Sequence, residues 1–171
     1  MARLLKRVPD AWLSISATTR HPREGEQDGV QYYFLQREEF ERLIEQDGFL
    51  EWAEYSGNYY GTPLAAIRKN IEDGKQVILE IEVQGAAQVR ERMPEATFIF
   101  IEPPSLEELE QRLRNRGTED EETIQKRLAA AKVELSRKEE YDIQLVNDDL
   151  DEASEKLIAY VNELALSETR G

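Results

Sequence analysis

The chain has 171 residues and a formal net charge of −14, with 22 Lys and Arg against 36 Asp and Glu. A field of that sign repels nucleic acid and anionic membrane, so neither is expected as a partner, and an anionic ligand needs a local concentration of arginine. The absence of cysteine and the single histidine, His21, exclude disulfides, thiolate chemistry and Cys- or His-cluster metal sites.

The length suits one domain with a core of its own. No apolar run reaches 18 residues and no signal peptide is evident, which gives a cytoplasmic protein as the expectation. Met1 to Arg7 reads as a short helix without an N-cap residue. Trp12 to Ala17 reads as the first strand. A turn-rich stretch follows, then an aromatic strand from Gln31 to Leu35. Arg37 to Asp47 is predicted as an amphipathic helix with Phe40, Leu43 and Ile44 on its apolar stripe and Gly48 as its closing glycine. Phe49 to Tyr55 alternates loosely, and Ser56 to Pro63, S-G-N-Y-Y-G-T-P, reads as a tight turn. Thr62-Pro63 has the form of a helix start, leading into Leu64 to Glu72, with Asp73-Gly74 ending it.

Val77 to Val83 and Thr97 to Glu102 read as buried strands, separated by a helix from Gly85 to Arg92. Pro103-Pro104-Ser105 caps a helix from Leu106 to Asn115, and Thr118 to Lys138 is charged and helical. Asp142 to Val146 is a last strand, and Asn147-Asp148-Asp149 caps a final helix to about Leu166. Alternating strands and helices of these lengths predict an α/β fold with a mainly parallel sheet. The aromatic region from Gln31 to Tyr60 interrupts the alternation as a small β-rich lobe.

Three sets of residues carry chemistry. Arg20 and Arg23, three apart in a Pro-braced loop, can fork onto one phosphate, with Tyr32, Tyr60 and Thr62 adding hydroxyls. The alternative is a wet loop whose arginines pair with Glu24, Glu26 and Asp28. Carboxylates among apolar residues form the second set: Glu51 before Trp52, and Glu80 and Glu82 on one face of a predicted strand. An ionised carboxylate accepts only, and the N1–H and 2-amino edge of guanine offers donors where adenine has none. Pairing of these carboxylates with arginine or water stays open. The third set is Arg112 and Arg116, four apart on one helix, with Arg127 on the next helix beyond Gly117. They read either as a closing lid of cations, as phosphoryl transfer requires, or as a salt-bridged surface.

Together these motifs resemble the guanylate kinase family. The resemblance rests on S-x-S-A-T-T-R-x-P-R-x-G-E-x-D-G-x-x-Y-x-F, F-L-E-W-A-E-Y-S-G-N-Y-Y-G-T-P, L-E-I-E-V-Q-G-A, P-P-S-L-E-E-L-E-x-R-L-x-x-R-G-T-E and I-Q-L-V-N-D-D-L-D, and spans nearly the whole chain. It implies one guanylate kinase-like domain over 1–171, with a GMP-binding lobe at about 31–63 and a lid at about 113–138. It implies a P-loop NTPase-like parallel sheet with helices on both faces. It implies that Arg20, Arg23, Tyr32 and Tyr60 hold the GMP phosphate and that Ser16, Glu51, Thr62 and Glu82 read the guanine. Arg112, Arg116 and Arg127 become the catalytic arginines, Asn147 lies beside the ATP adenine, and Glu80 sits near the metal and phosphates. The implied substrates are GMP and ATP, and the implied cofactor is Mg²⁺.

One departure stands out. The family opens with a strand and a G-x-x-x-x-G-K loop for the ATP phosphates, and no such motif occurs in these 171 residues. The reading is therefore of a chain that starts inside what resembles the family's first helix, with Met1 either internal to a longer protein or a start placed too late. The expected result is weakened catalysis with GMP binding retained. The alternative is a non-catalytic guanylate-kinase-like module that binds GMP or a peptide.

Overall fold

In the computed structural model, which describes residues 1–55, 57–117 and 120–168, the chain divides into two compact units, Met1–Ala96 and Thr97–Gly171. In the first unit, α1 (Ala2–Arg7) buries Leu4 and has no side-chain cap at Met1. The predicted strand Trp12 to Ala17 is two strands in two sheets. β1 (Ala11–Leu13) pairs in parallel with β6 (Gln76–Ile78), whereas β2 (Ala17–Thr18) joins a four-stranded sheet. The backbone changes partner within three residues: the Ser14 N–H donates to the Ile78 carbonyl at 2.9 Å, and the Ser16 carbonyl accepts from the Tyr33 N–H at 2.9 Å.

The four-stranded sheet runs β3 (Tyr33–Phe34), β2, β5 (Asn58–Pro63), β4 (Phe49–Tyr55). β2 and β3 are parallel, and the other two pairings are antiparallel. The hydroxyl-rich stretch expected as a tight turn is thus mostly a strand. Only the hairpin tip turns, with Gly57 at φ +77°; Ser56 lies outside the described residues. α2 (Arg37–Glu45) lays Phe40 on this sheet, stacked on Phe49 with ring centroids 4.2 Å apart and packed with Ala17. The left-handed residue after α2 is Asp47, at φ 54°, and not Gly48. Gly48 serves close packing instead, since a Cβ there would lie 3.0 Å from the Leu43 carbonyl.

α3 (Leu64–Glu72) begins after Pro63, which occupies the N-cap without a side-chain bond. The Thr62 cap predicted from the sequence is therefore corrected, because the Thr62 hydroxyl is engaged elsewhere. The predicted strand Val77 to Val83 stops at Ile78, since its partner β1 ends at Leu13. α4 (Val83–Arg92) then starts with Glu82 as its N-cap. Glu80 and Glu82 consequently do not share a strand face.

In the second unit, β7 (Ile99–Glu102) pairs in parallel with β8 (Ile143–Val146). β7 was expected to be buried on both faces, but Phe100 and Glu102 are buried while Ile101 is 48% exposed. α5 (Leu106–Arg116) is capped by Ser105, whose hydroxyl accepts from the Glu108 N–H at 3.1 Å, and ends at Gly117 with φ 62°. α6 (Glu121–Leu135) is capped by Asp120 and followed by a 3-10 turn at Lys138–Glu140. The helix is shorter than the predicted Thr118 to Lys138; Thr118 and Glu119 lie outside the described residues. Leu109, Leu113, Ile124 and Leu128 hold α5 to α6. Asp149 caps α7 (Leu150–Glu168) by accepting the Asp151 and Glu152 N–H groups at 2.8 and 2.9 Å. No helix among the described residues is long and apolar enough to cross a membrane.

Candidate functional site

Arg20 lies two residues past β2, its backbone N–H donating to Thr18 Oγ1 at 3.2 Å. Its guanidinium forks onto Glu26 at 3.0 and 2.9 Å and also donates to the His21 carbonyl at 2.7 Å. It sits 5.5 Å from the Tyr32 ring centre and 5.8 Å from that of Phe34. Tyr32 meets Tyr60 edge-on at 6.1 Å. Arg20, Tyr32 and Tyr60 thereby lie together beside the sheet. Glu26, with smaller help from Tyr60, holds the Arg20 pKa above its ordinary value. Arg20 and the Arg23 N–H in turn hold the Glu26 carboxyl below the usual range.

Arg23 has an exposed side chain, and its backbone N–H donates to Glu26 Oε2 at 2.7 Å. Glu26 is therefore more than the surface counter-ion considered from the sequence: one carboxylate ties the loop at both arginines. Ser16 is half-buried at the point where the chain passes between sheets. A cleft of about 260 Å³ opens beside Arg20, lined in part by Thr19, Phe34 and Arg37.

The strand register explains why N-Y-Y-G-T divides its labour. Tyr60 stands by Tyr32, while Tyr59 lies on the other face, 5.3 Å from Phe40 and under the Arg37 guanidinium at 4.4 Å. Thr62 pairs with Glu51 across β4 and β5, fully buried, and donates its hydroxyl to Glu51 Oε1 at 2.6 Å. Glu51 is 8% exposed. Burial pushes its pKa up and the nearby Glu82 charge adds to that, while the hydroxyl and backbone of Thr62 oppose it. Glu82 itself is exposed at the start of α4, and Glu80 is exposed between β6 and α4.

In the second unit, Arg112 donates to the carbonyls of Asn147 at 2.7 Å and Asp148 at 3.0 Å. The Asn147 N–H donates to the Glu102 carbonyl at 2.7 Å. Arg112 and Asn147 are thus neighbours, with Arg112 holding the turn after β8. Arg116 and Arg127 are exposed on α5 and α6.

Sequence reasoning missed several supports. Thr18 Oγ1 donates to the Tyr59 carbonyl, and Thr19 Oγ1 accepts from the Tyr59 N–H, both at 2.9 Å. The doubled threonine at a strand end was the available signal. The Gln88 amide bonds both the N–H and the carbonyl of Trp52, at 3.1 and 2.9 Å, pinning α4 to β4. Arg114 joins Glu110 to Glu121 across Gly117. That pairing depresses Glu121 to a pKa of about 2.

Residues 1–164 match the family model "Guanylate kinase". The guanylate kinase of Desulfitobacterium hafniense (strain Y51) is 56% identical over 154 residues, which are 90% of this chain and 77% of that protein. That of Synechocystis sp. (strain ATCC 27184 / PCC 6803 / Kazusa) is 55% identical over 160 residues, 94% of this chain and 84% of that protein. The crystal structure of guanylate kinase from Anaplasma phagocytophilum superposes with a TM-score of 0.77 at 36% identity, covering 96% of this chain and 79% of that one.

Proposed function

This chain belongs to the guanylate kinase family of phosphotransferases, and we propose that it transfers the γ-phosphoryl of ATP to GMP, giving ADP and GDP. The observation that carries this is the buried Glu51–Thr62 pair, on the same small sheet as Tyr60, which Tyr32 meets edge-on and beside which Arg20 lies. An acceptor-only carboxylate with a fixed hydroxyl suits the N1–H and 2-amino edge of guanine, with Glu82 and Ser16 completing the base contacts. Arg20, Arg23, Tyr32 and Tyr60 suit the phosphate of the same nucleotide. The lobe assigned to residues 31–63 then extends back to Ala17, because β2 is one of its strands.

Transfer is direct and in line: the GMP phosphate oxygen bonds to the γ-phosphorus as the bond to the ADP oxygen breaks. Catalysis of this kind is positioning and charge compensation. Arg112, Arg116 and Arg127 are the residues we assign to that charge, on a lid of about 113–138 with Arg112 at its root. Asn147 is assigned to the adenine. Mg²⁺ supplies charge neutralisation on the ATP phosphates; among the described residues no group of three acidic or histidine side chains could hold a metal. Glu80 is the carboxylate we assign to the neighbourhood of that ion. A cytoplasmic site of action fits a reaction between soluble nucleotides.

Two measurements test this reading. Calorimetry of GMP and AMP on the native chain and on Glu51→Ala should give GMP preference in the first and its loss in the second. Equal binding of AMP would sink it. Coupled turnover should be run on residues 1–171 and on the same residues preceded by a strand and G-x-x-x-x-G-K loop. We propose that residues 1–171 alone bind GMP better than they turn it over, because the phosphate loop motif does not occur among them. Absence of turnover from both, with retained GMP or peptide binding, would favour a non-catalytic module.

A further inference from the structure

Gly85 occupies the first turn of α4 and is buried. A Cβ built there would lie 2.9 Å from Glu51 Oε2 and 3.3 Å from the Glu51 carboxyl carbon. The carboxylate has no easy retreat, because Oε1 is held by the fully buried Thr62 hydroxyl at 2.6 Å. Glycine is a poor helix residue beside alanine, so its presence inside α4 carries a local cost. The missing methyl is what lets the carboxylate lie against the first turn, where the positive end of the helix favours negative charge.

The geometry points to Gly85 as a positioning residue for base specificity: its missing side chain makes the space in which the Glu51 carboxylate is held toward the guanine edge. This rests on the assignment of Glu51 as the group that reads guanine. Gly85 touches the base only through Glu51. A methyl group at 85 displaces Oε2, and with it the acceptor for the 2-amino group, while Thr62 retains Oε1.

The test is calorimetry with GMP and with inosine monophosphate, which lacks the 2-amino group, on the native chain, Gly85→Ala, Glu51→Ala and the double variant. Gly85→Ala should weaken GMP about ten- to a hundredfold, as loss of a hydrogen bond to a charged group does, and weaken inosine monophosphate less. The preference between the two nucleotides should narrow. The melting temperature should stay level or rise if the carboxylate yields, since alanine favours the helix; a purely structural role for Gly85 predicts no change in that preference. In the Glu51→Ala background, Gly85→Ala should have no further effect on GMP. Should Gly85→Ala fail to fold, the double variant should recover folding, because the clashing carboxylate is gone. Unchanged GMP affinity in Gly85→Ala, independent effects of the two changes, or a double variant that stays unfolded would each overturn the inference. Unchanged GMP affinity in Glu51→Ala would instead remove the guanine assignment beneath it.

Discussion

Thr62 and Glu51 face each other across the β4–β5 ladder, and the Thr62 hydroxyl donates to Glu51 Oε1 at 2.6 Å. Replacing Thr62 with Val keeps the volume and deletes the donor. A buried acceptor left without its partner costs about 1–3 kcal/mol. We expect Thr62→Val to lower the melting temperature and to raise the Glu51 pKa further. Thermal melts across pH, with a carboxyl titration by NMR, check both.

Glu51 also sets a pH dependence whose sign follows from its shift. Burial raises its folded pKa above the ordinary value of 4.5. Below the ordinary range the carboxyl is protonated folded and unfolded alike, and the stability associated with the raised pKa is fully present. As pH rises, the unfolded chain releases its proton first, and that stability is lost through the folded pKa. If Glu51 reads guanine as proposed, GMP binding calls for the ionised carboxylate and should strengthen over the same window. Glu51→Gln should flatten the stability component; melts and calorimetry from acid to neutral pH decide it.

Glu26 binds the Arg20 fork and the Arg23 N–H with one carboxylate. Simple charge counting predicts that removing it should help an anion bind. Orientation predicts the reverse, because a fork fixed in advance loses less freedom on binding. We expect Glu26→Ala to weaken GMP about three- to tenfold and Glu26→Gln to weaken it less. Its lowered pKa means that its contribution to stability is present above the ordinary carboxyl range and lost as pH falls. Tighter GMP binding by Glu26→Ala in calorimetry would reject the orientation argument.

Arg112 and Arg116 should separate by experiment. Arg112 holds two backbone carbonyls after β8, so Arg112→Ala should reduce stability by about 1–2 kcal/mol as well as transfer. Arg116 is exposed on α5, and Arg116→Ala should leave the melting temperature within about 2 °C, as surface changes do. Any loss of turnover in Arg116→Ala then reports on transfer alone. Denaturant melts beside coupled assays supply the comparison.

The parts of the fold set by local chemistry were legible in the sequence. Ser105, Asp149 and Gly117 mark helix ends as their residue types require. The stripe of Phe40, Leu43 and Ile44 marked a buried helix face. Features set by distant partners were not legible. Nothing between Trp12 and Ala17 announces that the backbone passes from β6 to β3 at Ser14–Ser16. Thr62-Pro63 has the local form of a helix cap, yet a carboxylate eleven residues away takes the hydroxyl. Glu80 and Glu82 looked like strand neighbours because the ladder's length depends on β1, seventy residues upstream (roughly, by sequence position). For the site, residue types and the local pairing of Glu26 with the loop arginines were readable, whereas Gly85 and Gln88 act through partners that only folding brings near.

The Gln88 contact has a consequence for how the molecule behaves in a crowded solution. β4 is the outer strand of its sheet, and such a strand offers unpaired backbone groups to any passing chain. The Gln88 amide occupies both outward groups of Trp52, imitating the ladder of a fifth strand with a single side chain. A side-chain amide thus blocks strand addition midway along the β4 edge, protecting the small sheet from recruitment into intermolecular β-structure.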